Sequence, residues 1–184
     1  MLIVFSGLPG TGKTTIASAL ARRINAVYLR IDSIEQAIRD AGALVQEVGT
    51  SGYRIANALA LSNLGLGHRV IVDCVNPVFE SRDDWSKVAR HAGVPLVNIE
   101  VTCSDKAQHR RRVETRTGDI PGLVPPTWQS VMAHTYEPWA DAPFSIDTAQ
   151  VSPTEAVAMI AKAFLPDAPQ STLPNALNKA GSRP

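Results

Sequence analysis

Between Ser6 and Thr15 the chain reads Ser6-Gly7-Leu8-Pro9-Gly10-Thr11-Gly12-Lys13-Thr14-Thr15, a glycine-rich run that ends in a lysine and paired hydroxyls. Such a run can wrap an oligophosphate. Glycines at 7, 10 and 12 let the backbone turn successive N–H groups inward onto anionic oxygens. Lys13 would then reach the β and γ phosphates as a point charge, and the Thr14 hydroxyl would bind a Mg²⁺ that bridges them. Pro9, Thr11 and Thr15 complete the predicted nucleotide cradle. A chance glycine turn is the plainer alternative, and the flanks argue against it. Apolar Leu2-Ile3-Val4-Phe5 precedes the run as a buried strand, and Ile16-Ala17-Ser18-Ala19-Leu20-Ala21 follows it at helical spacing, so a strand, a loop and a helix N-terminus stand in the order phosphate binding needs.

The rest of the chain must position that loop. Val27 to Ile31, Val70 to Asp73, Leu96 to Val101 and Phe144 to Asp147 read as strands. Helical spacing runs through 34–41, 52–66, 82–92, 106–115 and 154–164. Alternation of this kind forces parallel pairing, because each helix carries the chain back across the sheet. The expected fold is a three-layer α/β domain over residues 1–165, with its ligand crevice at the carboxyl ends of the strands. Residues 166–184 scatter Pro166, Pro169, Pro174 and Pro184 among Ser, Asn and Ala, and are expected to form a flexible tail.

If the loop holds a nucleotide, the next question is where its terminal phosphoryl goes. A water-activating Asp-Glu pair is missing from the strand end Val72-Asp73-Cys74, and Asn178-Lys179-Ala180-Gly181 does not make the guanine-reading Asn-Lys-x-Asp. Transfer to a hydroxyl asks for a carboxylate beside the terminal phosphate and for arginines that cover the developing charge. Asp32, where the second strand passes into a helix, is the candidate for the proton acceptor. Asp32-x-x-Glu35 also reads as a helix cap, but Ser33-x-x-Gln36 offers the same cap one residue later and would leave Asp32 free. Arg112 and Arg116 stand four apart with no carboxylate beside them, whereas Glu114 can pair with Arg110 or Arg111. A solvated basic face is the alternative. The turn-rich segment Thr117 to Pro126 follows, so that residues about 105–126 are expected to form a closing lid.

With these pieces in place, the chain resembles the P-loop kinases typified by the kinase domain of phage polynucleotide kinase. More distantly it resembles gluconate kinase, chloramphenicol phosphotransferase and zeta-toxin-like proteins. The matching residues fall within roughly 1–140: the glycine loop, Asp32, Val70 to Asp73 followed by Asn76-Pro77, Arg82, Trp85, the Arg112-x-x-x-Arg116 pair and Val124-Pro125. The resemblance implies a five-stranded parallel sheet in the order 2-3-1-4-5 and ATP with Mg²⁺ as the phosphoryl donor. It also implies that Asp32 is the general base, that Arg112 and Arg116 are phosphate clamps, and that Asp73 lies near the metal-water shell or the acceptor, with Asn76 beside it.

Polynucleotide kinase has an arginine three residues after its catalytic aspartate; this chain has Glu35. Aromatic and basic residues are not interleaved as a strand-stacking groove would require. The expected acceptor is therefore a small hydroxylated molecule, such as a sugar, nucleoside or antibiotic. A polynucleotide 5′-hydroxyl, or a nucleotide-dependent binding module with slow ATPase activity, stands as the alternative. Arg30, Tyr53 and Arg54 are candidate acceptor contacts. Trp128, Tyr136 and Trp139 either wall the acceptor cavity or anchor the last helices.

Composition agrees with this reading. The chain has 184 residues, 45% of them hydrophobic, and a net charge of +1, which gives no global field for a nucleic-acid backbone. Cys74 and Cys103 at strand ends suit reduced thiols, and no apolar run approaches the ~20 residues that a membrane span needs. A cytoplasmic monomer or homodimer is expected. The four histidines, His68, His91, His109 and His134, lack ligand spacing and are expected at the surface.

Overall fold

A computed structural model describes residues 1–42, 48–141 and 143–165. The strands are β1 (Leu2–Ser6), β2 (Val27–Arg30), β3 (Val70–Asp73), β4 (Leu96–Thr102) and β5 (Phe144–Asp147). The helices are α1 (Lys13–Ile24), α2 (Ile31–Asp40), α3 (Ser51–Gly65), α4 (Phe79–Ala92), α5 (Lys106–Thr115), α6 (Trp128–Met132) and α7 (Pro153–Phe164). All pairings are parallel and the sheet order is β2-β3-β1-β4-β5. The expected tail at 166–184 lies outside the described residues.

Two-residue alternation in β1 divides the core. Ile3 and Phe5 face α1 and α7 through Ile16, Leu20, Val157 and Ile160, whereas Leu2 and Val4 face α3 and α4 through Ala56, Ala60, Leu64 and Trp85. β1, the strand that launches the glycine loop, is thus buried on both faces and flanked on both edges by β3 and β4. α7 is fixed at its start by a capping box between Ser152 and Glu155.

Several elements differ from expectation, and α4 begins at Phe79 rather than Arg82. α2 begins at Ile31 rather than Ile34, so Asp32 sits inside the first helical turn. The capping alternative for Asp32 does not hold, since the Arg30 backbone ends the strand and no side-chain cap forms. The short α6, absent from the sequence expectation, is started by the Thr127 side chain, which accepts from the Ser130 N–H.

Candidate active site

The glycine loop joins β1 to α1 at the carboxyl edge of the sheet. A Cβ on Gly7 would lie 2.2 Å from the Val101 carbonyl oxygen, and one on Gly10 would lie 2.5 Å from Val113 Cγ2. Both residues have positive φ, so only glycine fits there. The loop is pressed against β4 on one side and α5 on the other. Lys13 is buried and its Nζ donates to the Leu8 carbonyl at 3.0 Å, the ammonium bridging the loop's own ends. Burial lowers the Lys13 pKa, with Asp73 and Asp32 pulling the other way.

Register brings the charged cluster together. Arg30 of β2 pairs with Asp73 of β3, and Asp73 pairs with Phe5 of β1. Asp73 is buried, and its Oδ2 accepts from Tyr28 Oη at 2.7 Å and lies 4.0 Å from Arg30 Nε. Asp32 is half-exposed, with its carboxylate 3.6 Å from Arg30 Nη2. Arg30 is bound most tightly by Asp119, from the loop after α5, whose two carboxylate oxygens accept from Nη1 and Nη2. Burial opposes the charge on Arg30, but the Asp119 hydrogen bonds and the surrounding carboxylates outweigh it and raise its pKa. Hydrogen bonding from Arg30 holds the Asp119 carboxyl below its ordinary range.

Arg112 and Arg116 approach from α5. Arg116 is the C-cap of α5, with a helical φ and an extended ψ, so the chain turns away only after it and both arginines line one cavity. Arg112 Nη1 donates to Thr148 Oγ1 at 2.7 Å and Nη2 to the Thr148 carbonyl at 3.1 Å. Thr148 Oγ1 is also 2.7 Å from the Thr11 carbonyl and 3.0 Å from that of Thr102, so one hydroxyl ties the glycine loop, β4 and α5 together.

A cavity of about 410 Å³ gathers Pro9, Gly10, Gly12, Lys13, Thr14 and Thr15 on one wall, Arg30, Asp32 and Asp73 on a second, and Arg112, Arg116 and Asp119 on a third. Of the expected site residues, Gly7 and Thr11 shape the loop from behind. Tyr53, Arg54 and Asn76 do not line the cavity. Tyr53 Oη accepts from the Asn76 N–H, and Arg54 is exposed on α3. Asn76 is fully buried, donating to Ser6 Oγ at 3.0 Å and accepting from Ser81 Oγ at 2.8 Å, so it locks the β3–α4 turn and is not free to bind an acceptor.

The aromatic residues anchor. Arg82 donates to the carbonyls of Asn76, Pro77, Glu137 and Pro138, with its guanidinium 5.2 Å from the Tyr136 ring centroid and 4.1 Å from that of Trp139. His109 corrects the surface expectation: it is buried, its Nε2 lies 2.8 Å from the Pro9 carbonyl, and its ring meets Trp128 edge to face at 5.1 Å.

Asp119, Thr148 and His109 are absent from the sequence-derived site. Asp119 is the one charge in Gly118-Asp119-Ile120-Pro121-Gly122, and Thr148 directly follows a strand at the ligand edge; both signals were available. His109 stands four residues before Val113, and that pair forms the seam that meets the loop.

A phosphate-cradling loop on the central strand, with carboxylates and arginines converging on it from neighbouring elements, defines the P-loop class of nucleotide-binding domains. The AAA domain family matches residues 2–131, and the chain belongs to that family. An uncharacterized protein of Mycobacterium tuberculosis is 36% identical over 84 residues, a match that covers 39% of this chain and 17% of that protein. A shikimate kinase of Corynebacterium glutamicum is 31% identical over 133 residues, covering 63% of this chain and 79% of that one. Among solved structures, a putative kinase from Chloroflexus aurantiacus has a TM-score of 0.66 at 18% identity, covering 88% of this chain and 94% of the other. The APS kinase CysC of M. tuberculosis, in complex with AMPPNP and APS, has a TM-score of 0.63 at 19% identity, covering 88% and 95%. These likenesses support the coarser part of the resemblance, that to small-molecule P-loop kinases. No helix among the described residues is long and apolar enough to cross a membrane.

Proposed function

We propose that this protein is a Mg²⁺-dependent kinase that transfers the γ-phosphoryl group of ATP to a hydroxyl of a small molecule. The observation that carries the reading is the shared cavity in which the glycine loop and Lys13 face Asp32, with Arg112 and Arg116 on the closing side. The names of the relatives, shikimate kinase and APS kinase, support phosphoryl transfer to a small molecule and leave its charge open.

The acceptor hydroxyl lies against Asp32. As its oxygen bonds to the γ-phosphorus, the bond from that phosphorus to the β–γ bridging oxygen breaks, the hydroxyl proton passes to the Asp32 carboxylate, and ADP departs. Lys13, Arg112 and Arg116 carry the charge that builds on the phosphoryl oxygens and the leaving group. The residues present fit Mg²⁺. Thr14 offers a hydroxyl and Asp73 a carboxylate, both hard oxygen donors on the cavity wall, and Asp73 Oδ1 has no hydrogen-bond partner among the described residues. Bound there, the ion would neutralise phosphate charge and align the terminal phosphoryl.

ATP consumption by the full chain is measured against a panel of sugars, nucleosides, aminoglycosides and hydroxy acids, with products read by mass shift. An acceptor should raise turnover, and Asp32→Asn should remove about 10²–10⁴ of that increment while ATP still binds. An Asp32→Asn chain that retains the full acceptor-stimulated rate overturns the reading.

A further inference from the structure

The charge arrangement around Arg30 bears on the kind of acceptor. Arg30 is 9% exposed, and its guanidinium serves three carboxylates: Asp119 through two hydrogen bonds, Asp32 at 3.6 Å and Asp73 at 4.0 Å. Its Nε is buried without a hydrogen-bond partner. Asp119 is 56% exposed on its own loop, yet it reaches into the cavity to fill the fork of Nη1 and Nη2. The loop is seated independently at Gly122, where a Cβ would lie 2.9 Å from Nε2 of the buried Gln36 on α2. Two anchors on the β2–α2 corner hold the Asp119 loop over the acceptor side.

We infer that Asp119 is a specificity-determining residue: by filling the bidentate fork of Arg30 it reserves the acceptor pocket for neutral or cationic hydroxyl compounds and excludes those bearing a carboxylate or phosphate. A guanidinium presents two forks to a carboxylate: Asp119 fills Nη1/Nη2, and the Nε/Nη2 edge faces Asp73 at 4.0 Å and Asp32 at 3.6 Å. With Asp73 given to Mg²⁺, an incoming anion would still face Asp32 and Asp119, with Arg30 the one side-chain cation between them, and Lys13, Arg112 and Arg116 are committed to the nucleotide side. Discrimination comes from that repulsion as much as from any contact the accepted molecule makes. The inference rests on the kinase reading for what is transferred, but the charge selection is testable without turnover.

The full chain, loaded with Mg²⁺ and a non-hydrolysable ATP analogue, is titrated with D-gluconate and with its neutral counterpart D-glucitol while the Arg30 Nε–H resonance is followed by NMR. In the wild type, millimolar gluconate should leave that resonance in place; in Asp119→Ala it should shift it saturably. Displacement of Asp119 by gluconate in the wild type, or an Asp119→Ala chain whose Arg30 ignores gluconate, overturns the inference. Asp119→Asn keeps the side-chain volume and should behave like the alanine variant, which separates loss of charge from loss of the loop's seat. In parallel, turnover on matched neutral and anionic acceptors should favour the neutral member, with that preference falling by about tenfold in Asp119→Ala. A chain that gives the NMR pattern but transfers phosphate to nothing loses the kinase reading and keeps the charge selection. One that turns over the anionic members faster keeps the kinase reading and loses the inference.

Discussion

Lys13 shows how a functional group can oppose the fold that holds it. Burial depresses its pKa from the ordinary 10.5, and Asp73 and Asp32 restore only part of the loss. Between the folded and unfolded pKa values the unfolded chain binds more protons, so the stability of the nucleotide-free protein should rise with pH across that window, which ends near 10.5. Lys13→Met should abolish that rise, raise the nucleotide-free Tm by about 2–4 °C and eliminate ATP binding; calorimetry with and without nucleotide reads all three. ATP affinity should fall over the same pH window, because the phosphates need the ammonium. His109 is the second case at this scale. Its contact with the Pro9 carbonyl sets the height of the glycine loop, so His109→Ala should raise KM for ATP by roughly three- to tenfold, about 1 kcal/mol, with a smaller change in kcat. An unchanged KM would reduce His109 to a packing residue.

At the scale of elements, the glycine loop is held between β4 and α5, and its two tight approaches differ in what they meet. Gly7→Ala drives a methyl into the backbone carbonyl of Val101, which a sheet strand cannot move, whereas Gly10→Ala meets a methyl of Val113 on a helix that can shift. Gly7→Ala should therefore destabilise more, and both should exceed the ~1–2 kcal/mol of a left-handed backbone penalty; urea unfolding of the two variants ranks them. Thr148→Val removes the hydroxyl link between α5, β4 and the loop while keeping the side-chain shape. Nucleotide affinity should drop by about tenfold and amide exchange should quicken in residues 106–115, measured by mass spectrometry.

Across the whole molecule, the local patterns were legible and the long-range partnerships were not. The apolar run of β1, the helical spacing of α1 and the glycine run predict the strand, helix and loop found there, and the resemblance supplied the strand order. Lys13, Asp32, Asp73, Arg112 and Arg116 were expected near the phosphate and they do line one cavity. Tyr53 and Asn76 failed because a polar side chain close to a site in sequence can equally be satisfying a buried turn, and spacing carries no sign of which. Asp119 was missed because its partner, Arg30, lies 89 positions away in the chain, a separation no local period encodes. Arg82 belongs with these. Its fork closes the turn after β3 onto residues 137–138, and Arg82→Lys should cost about 2–4 kcal/mol, because an ammonium cannot reach the same carbonyls or stack between two rings; thermal unfolding tests this.

β1, which launches the phosphate cradle, is hemmed in by β3 and β4, but β2, which delivers Arg30 and leads into Asp32, is an edge strand with β3 as its one neighbour among the described residues. On the proposed reading, donor handling is thereby welded to the middle of the sheet, while recognition of the second substrate hangs from its margin and from one surface loop. Such a layout lets lineages trade clientele by rewriting roughly two dozen peripheral positions without disturbing the engine. Grafting 27–40 together with 117–126 from a relative of different taste should carry that taste across and leave nucleotide affinity where it was.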